Sequence, residues 1–308
     1  MKRGAFFGAL LLMCSVFVNS AVAAKSNFYE SDLMASIGEE DRVALLMVHF
    51  GTSHSDTRGK TIEALNAKAR AKYPDFDLYE AWTSRIIIRI MRGRGEAIKT
   101  PLEMLKELKE RGYTHVVVQS SNVIEGVEME SLRRDIRDVL GEFKEVRVGN
   151  PLLYTPEDYE RVVECVATKK PADGALVLVG HGTYTPSTAQ YAMVDYVARE
   201  MGCEGIFIGT IEGYPTYETM LGRLKASGVK RVALMPFMFV CGEHAKNDIA
   251  GDWAEMLTKE GFEVSVIMEG LGEQVVMQSL LMEHIDFALK NQMYDIMKKK
   301  SEYLEGRR

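Results

Sequence analysis

Six histidines serve the whole 308-residue chain, and only some sit where chemistry could be done. His181 lies in Val-Gly-His-Gly-Thr (179–183), directly after an apolar run. Its flanking glycines let the backbone approach a ligand closely and leave the imidazole unobstructed. His244 lies in Val-Cys-Gly-Glu-His-Ala-Lys-Asn-Asp (240–248), just past a second apolar run, and Glu212 in Gly-Thr-Ile-Glu-Gly-Tyr-Pro (209–215), past a third. Two imidazoles and a carboxylate suit a borderline divalent cation such as Co²⁺, Zn²⁺, Ni²⁺ or Fe²⁺. Three protein ligands leave the coordination sphere open, as a site that exchanges or delivers metal requires. A lone histidine at a strand end is ordinarily a hydrogen-bonded structural residue. Three ligand-type side chains at three strand ends of one half of the chain are what point to a metal.

The elements that must hold these residues follow from the hydropathy pattern. Continuous apolar runs at 43–49, 78–83, 115–124 and 146–153 read as strands, separated by helix-periodic stretches at 55–71, 101–111 and 128–140. Pro101 opens the second helix, where a missing N–H costs nothing. The pattern then restarts, with strands at 175–179, 205–211, 232–240 and 264–268, helices at 189–201, 217–226 and 245–260, and a long terminal helix over 273–299. Strands without period-two alternation, separated by helices, predict a parallel sheet covered on both faces.

The two halves read as copies. LLMVHFGTS (45–53) lies over LVLVGHGTY (176–184), so Phe50 matches His181 and Gly51 matches Gly182. HVVVQSSNVIEGVE (115–128) lies over RVALMPFMFVCGEH (231–244), so Gly126 matches Gly242 and Glu128 matches His244. The expected fold is α/β: two similar doubly wound parallel-sheet domains, residues 25–150 and 151–308, related by a pseudo-twofold. Ligands of such sheets bind beyond the carboxyl ends of the strands, so one shared cleft between the domains is expected.

The formal net charge of −6 argues against general nucleic-acid binding, which needs a basic face. The chain has no Walker A loop, no G-x-S-x-G elbow and no C-x-x-C, and Gly-Arg-Gly-Glu-Ala-Ile (93–98) is a poor dinucleotide fingerprint. Nucleotide hydrolysis, α/β-hydrolase chemistry and thioredoxin-type chemistry are thereby disfavoured. Arg85, Arg89, Arg92 and Arg94 follow the second strand as a local reversal of sign. Arginine pairs bidentately with carboxylates, so Arg85 and Arg89 are candidates to cradle a polycarboxylated ligand, while Arg92 and Arg94 read as a solvated helix face. The abundant methionines read as core filling rather than copper handling.

The constellation resembles the anaerobic-pathway sirohydrochlorin cobaltochelatases, the ATP-independent chelatases related to ferrochelatase. The resemblance covers nearly the whole chain after residue 24. It is carried by Phe-Gly-Thr-Ser (50–53), Thr-Ser-Arg (83–85), Val-Val-Val-Gln (116–119), Gly-His-Gly-Thr (180–183), Ile-Glu-Gly-Tyr-Pro (211–215) and the 240–248 segment. It implies a tetrapyrrole bound between two α/β domains and insertion of Co²⁺, or Fe²⁺, with release of two pyrrole protons. His181 and His244 match the family's catalytic histidines. The resemblance makes His181 a metal ligand and proton acceptor, and makes His244 and Glu212 metal ligands. Ser53, Arg85 and Arg89 are the substrate-facing candidates. One departure stands out: many relatives end the third strand in Q-x-x-H, and this chain reads Gln119-Ser120-Ser121-Asn122.

Residues 1–24 carry Lys2 and Arg3, an apolar run from Ala5 to Val18, and Ala21-Val22-Ala23. These are the three parts of a cleaved secretory signal peptide. No later apolar run is long enough to span a bilayer. The expectation is an exported, periplasmic protein without a membrane anchor after cleavage. Export also favours an alternative: a periplasmic carrier of haem, another tetrapyrrole or metal that retains the chelatase fold. Self-association is left open by the sequence.

Overall fold

The computed structural model describes residues 27–242 and 245–305. The expected leader (1–24) and His244 lie outside the described residues. Two compact units form: residues 38–288, and a smaller one made of the segments before and after them.

The larger unit holds two four-stranded sheets. The first contains β1 (Val43–His49), β2 (Asp77–Trp82), β3 (His115–Ser120) and β4 (Glu145–Val148), in the order β2-β1-β3-β4. The second contains β5 (Ala175–Gly182), β6 (Ile206–Glu212), β7 (Arg231–Pro236) and β8 (Glu263–Val266), in the order β6-β5-β7-β8. Every pairing in both is parallel. The two sheets therefore share one topology, as the internal repeat requires.

Burial explains the unbroken apolar runs. Ala44 to Val48 and Ala175 to Val179 are completely buried, covered on both faces. In the first half the longer helices are α1 (Ala64–Lys72), α2 (Arg85–Gly93), α3 (Pro101–Glu110) and α4 (Val127–Val139). Leu105, Leu108, Leu132 and Ile136 from α3 and α4 pack with Leu46, Val116 and Val118 of the sheet in one cluster. In the second half the helices are α5 (Pro156–Ala167), α6 (Ala189–Glu200), α7 (Tyr217–Ala226), α8 (Ala254–Lys259) and α9 (Val275–Lys290). Val177, Val179, Leu224, Trp253 and Leu257 form the corresponding cluster.

Two helix starts are fixed by the same device. Thr100 Oγ1 accepts from the Glu103 N–H while Glu103 Oε2 accepts from the Thr100 N–H at 2.7 Å. Thr155 and Asp158 repeat this at α5. Each is a capping box with proline at the first helical position.

The terminal region differs from the expected single helix over 273–299. Helix α9 ends at Lys290, residues 291–293 become extended, and a separate helix runs Ile296–Glu305. In the smaller unit, Asn291–Met293 pairs antiparallel with Phe28–Glu30. Non-local strand pairing has overridden a helical period. The last helix then restarts at Asp295, whose Oδ1 accepts from the Met297 N–H at 2.8 Å.

Candidate active site

The carboxyl ends of both sheets face one cavity of about 630 Å³. The first half contributes the turn after β1 (Phe50 to His54), Ile86, Ile87 and Ile90 of α2, and the segment from Ser121 to Glu128. The second half contributes His181 to Thr183 after β5, Phe237 to Val240 after β7, and Asn247 and Asp248. The walls are thus mainly aliphatic and aromatic, with polar groups at the turns. Ile86 is 70% exposed and Val127 50%, so much apolar surface here is uncovered.

Two glycines at equivalent positions shape the turns. Gly51 has φ +96° and Gly182 φ +88°. A Cβ on Gly51 would lie 2.4 Å from the Trp82 ring, and one on Gly182 only 1.5 Å from the Glu212 carbonyl oxygen. Both the backbone conformation and the close approach therefore require glycine.

His181 lies between Gly180 and Gly182 and is half-buried on the cavity wall. Its Nδ1 is 3.4 Å from the Gly182 carbonyl oxygen. Behind it, the Tyr191 hydroxyl accepts from the Gly182 N–H at 3.2 Å. Burial pushes the Tyr191 phenol up to about 12, so this group stays protonated and neutral around pH 7.

The expected site residues separate into four cases. Ser53 and His181 line the cavity. Glu212 is half-buried at the end of β6, opposite Gly182 on the adjoining strand, and is not part of the cavity lining. His244 is outside the described residues. Among the described residues, no three His, Cys, Asp or Glu side chains gather closely enough to hold a metal ion.

Arg85 and Arg89, the other substrate-facing candidates, lie outside this lining. With Arg92 they border a separate concavity of about 290 Å³. The helical period is the reason: residues 86, 87 and 90 share the cavity face of α2, whereas 85, 89 and 92 share another. Arg92 is already paired there with Glu103, at 2.6 Å.

Several lining residues were not read from the sequence. His54 directly follows the 50–53 motif, and Asn247 and Asp248 belong to the 240–248 motif. Glu128 was the most findable, because the repeat places it where the second half has His244.

A buried polar chain lies under the first-half wall. His49 is 1% exposed. Its Nδ1 is 2.9 Å from Ser121 Oγ and its Nε2 is 3.1 Å from Asn66 Oδ1. Burial is the main cause holding the His49 imidazole below its usual range, against the opposing charge of Glu80.

Residues 43–290 match the family described as cobalt chelatase (CbiK). The chain belongs to that family. A sirohydrochlorin cobaltochelatase of Salmonella typhimurium is 35% identical over 254 residues, covering 80% of this chain and 96% of the relative. A sirohydrochlorin cobaltochelatase of Nitratidesulfovibrio vulgaris is 29% identical over 255 residues, covering 80% and 90%. Among solved structures, the SirB protein of Bacillus subtilis with Fe³⁺ matches at a TM-score of 0.57 and 12% identity, over 80% of this chain and 96% of that one. SirB in complex with cobalt matches at 0.56. This chelatase is thus built on the fold of SirB, with its cleft at the strand ends of two like sheets.

Proposed function

We propose that this chelatase inserts Co²⁺ into sirohydrochlorin without nucleotide hydrolysis. One observation carries the reading: a glycine-flanked imidazole, His181, stands on the wall of a largely apolar cavity of about 630 Å³. The family match and the names of the relatives support both the metal and the macrocycle. The absence of a Walker A loop from the sequence fits a reaction driven by metal–nitrogen bond formation alone.

In this reading the apolar walls take the macrocycle faces and exclude water from its centre. Insertion breaks two pyrrole N–H bonds as the nitrogen lone pairs bind the incoming cation. His181 holds the incoming cation on one face; once the cation has passed to the ring nitrogens, the freed imidazole accepts one pyrrole proton and the other leaves to solvent. His244 is the second ligand. Glu212, next to Gly182 across the strand pair, is the third candidate. Ser53 supplies a polar contact at the rim.

A steady-state assay comparing Co²⁺ and Fe²⁺ with sirohydrochlorin tests this through the visible spectrum of the chlorin. The expected result is metal-dependent insertion that falls at least about a hundredfold in His181→Ala, the size typical of losing a positioned acid–base group. An unchanged rate in that variant rejects the assignment.

Export is part of the proposal, supported by the three-part pattern of residues 1–24. Mass analysis of protein from the host periplasm should find a chain beginning near residue 24 or 25. The same pattern favours a second reading, an exported carrier of haem or another tetrapyrrole. A Soret band in the natively purified protein, with negligible insertion activity, would select it.

A further inference from the structure

The polar chain beneath the cavity fixes which way one hydroxyl points. Glu80 anchors it. The Trp82 indole Nε1–H, which can only donate, donates to Glu80 Oε1 at 2.6 Å. The Asn66 amide Nδ2 donates to Glu80 Oε2 at 2.5 Å. Reversing the Asn66 amide would set its carbonyl oxygen against a carboxylate, so its orientation is determined. Asn66 Oδ1 therefore faces His49, and at 3.1 Å it can only accept. His49 must carry its proton on Nε2, which leaves a lone pair on Nδ1. The hydroxyl 2.9 Å from Nδ1 belongs to Ser121, and that hydroxyl must donate.

Ser121 is at the cavity wall, just beyond the end of β3. Its only hydroxyl proton is committed inward, to His49. What it can offer the cavity is a lone pair. A doubly protonated imidazole would reverse this, but burial holds His49 neutral around pH 7. Phe239 stacks on the ring at 6.3 Å between centroids and 20° between planes, which helps fix its orientation.

We propose that Ser121, oriented by the chain Glu80–Asn66–His49, is a dedicated acceptor for a pyrrole N–H of the free-base macrocycle. Metal insertion removes that hydrogen, so the contact exists with substrate and is lost with product. Ser121 then discriminates the free base from the metallated ring and favours release of the latter. His49 is a positioning residue that acts through Ser121. The inference rests on the tetrapyrrole reading of the cleft.

The test uses the full chain, free-base sirohydrochlorin and cobalt-sirohydrochlorin. Imidazole ¹⁵N spectra of the ligand-free protein should show His49 protonated on Nε2 alone, and its Nδ1 resonance should move in Ser121→Ala. A proton on Nδ1 overturns the inference, whatever the protein's activity. The free base should bind wild type more tightly than the metallated ring. Ser121→Ala should weaken free-base binding roughly fivefold, as expected for one neutral hydrogen bond, and leave product binding unchanged. His49→Gln, whose amide can both accept from Ser121 and donate to Asn66, should keep the discrimination. His49→Leu should lose it; should that variant fail to fold, Ser121→Ala decides alone. Equal weakening of both ligands overturns the inference, as does an unchanged ratio. So does a loss confined to binding of Co²⁺ alone, which would make Ser121 a metal contact. Failure of the chelatase reading is separately visible, as wild-type protein that binds the free base but inserts no metal.

Discussion

At the residue scale, the cavity depends on where a side chain is missing. Gly182 combines a left-handed backbone with a carbonyl oxygen inside the space of any Cβ. Gly182→Ala must therefore shift the β5–β6 strand ends as well as bear backbone strain. It should cost at least about 2 kcal/mol in urea unfolding, given ordinary strain costs, and should displace His181 enough to depress insertion. Gly95 has a similar φ of +88°, but nothing lies near its Cβ position. Gly95→Ala should cost less, because it faces the conformational term alone.

At the element scale, α2 divides two roles between its faces. Ile87 and Ile90 face the cavity, while Arg85 and Arg89 face the other concavity. Ile87→Asp should raise the KM for the macrocycle about tenfold or more, since an apolar contact of this size is worth roughly 1.5–3 kcal/mol. Arg85→Ala and Arg89→Ala should leave that KM within twofold. A large KM rise in the arginine variants alone would return them to substrate binding. A second element-level dependence concerns α5 and α9. Asp158 closes the α5 capping box and accepts from His284 Nε2 at 3.1 Å, while His284 Nδ1 reaches the Asn150 carbonyl at 3.2 Å. Asp158→Ala removes the carboxylate that accepts from the Thr155 N–H, so half of the capping box is lost, and it leaves a buried imidazole nitrogen unpaired. A loss of about 2–3 kcal/mol follows from these two effects, measurable by urea unfolding.

At the scale of the whole molecule, acid should destabilise the fold through its buried groups. Burial holds His49 below its usual 6.5 in the folded chain. Below that pH the unfolded chain takes up a proton that the folded chain refuses, so stability falls as pH drops from 6.5. Asp158 acts in the same direction at lower pH. Burial pushes its carboxyl up, but the His284 hydrogen bond and charge and the Thr155 backbone together hold it below 3.8. Its contribution is present above 3.8 and is lost as pH falls through the lowered value. Urea unfolding between pH 7 and pH 5 should show this slope, and His49→Gln should flatten it. A pH-independent stability across that range would contradict the burial of His49.

The repeat, the parallel sheets and the cleft-facing position of His181 were all legible in the order of the amino acids. Those depend on local apolar runs and glycine-flanked turns, which are written in consecutive residues. Legibility failed where the deciding contact was distant in the chain. A helix over 273–299 fitted the local period, yet residues 291–293 pair with 28–30 as strands. Charge reversal marked out Arg85 and Arg89, but only the packing of α2 settles that they border a second concavity while Ile87 and Ile90 line the cavity. His49 looked like an ordinary strand residue, yet its partners Asn66 and Ser121, and the Glu80 that orients Asn66, come from three other segments. Spacing cannot report a hydrogen bond whose donor and acceptor are joined only by folding.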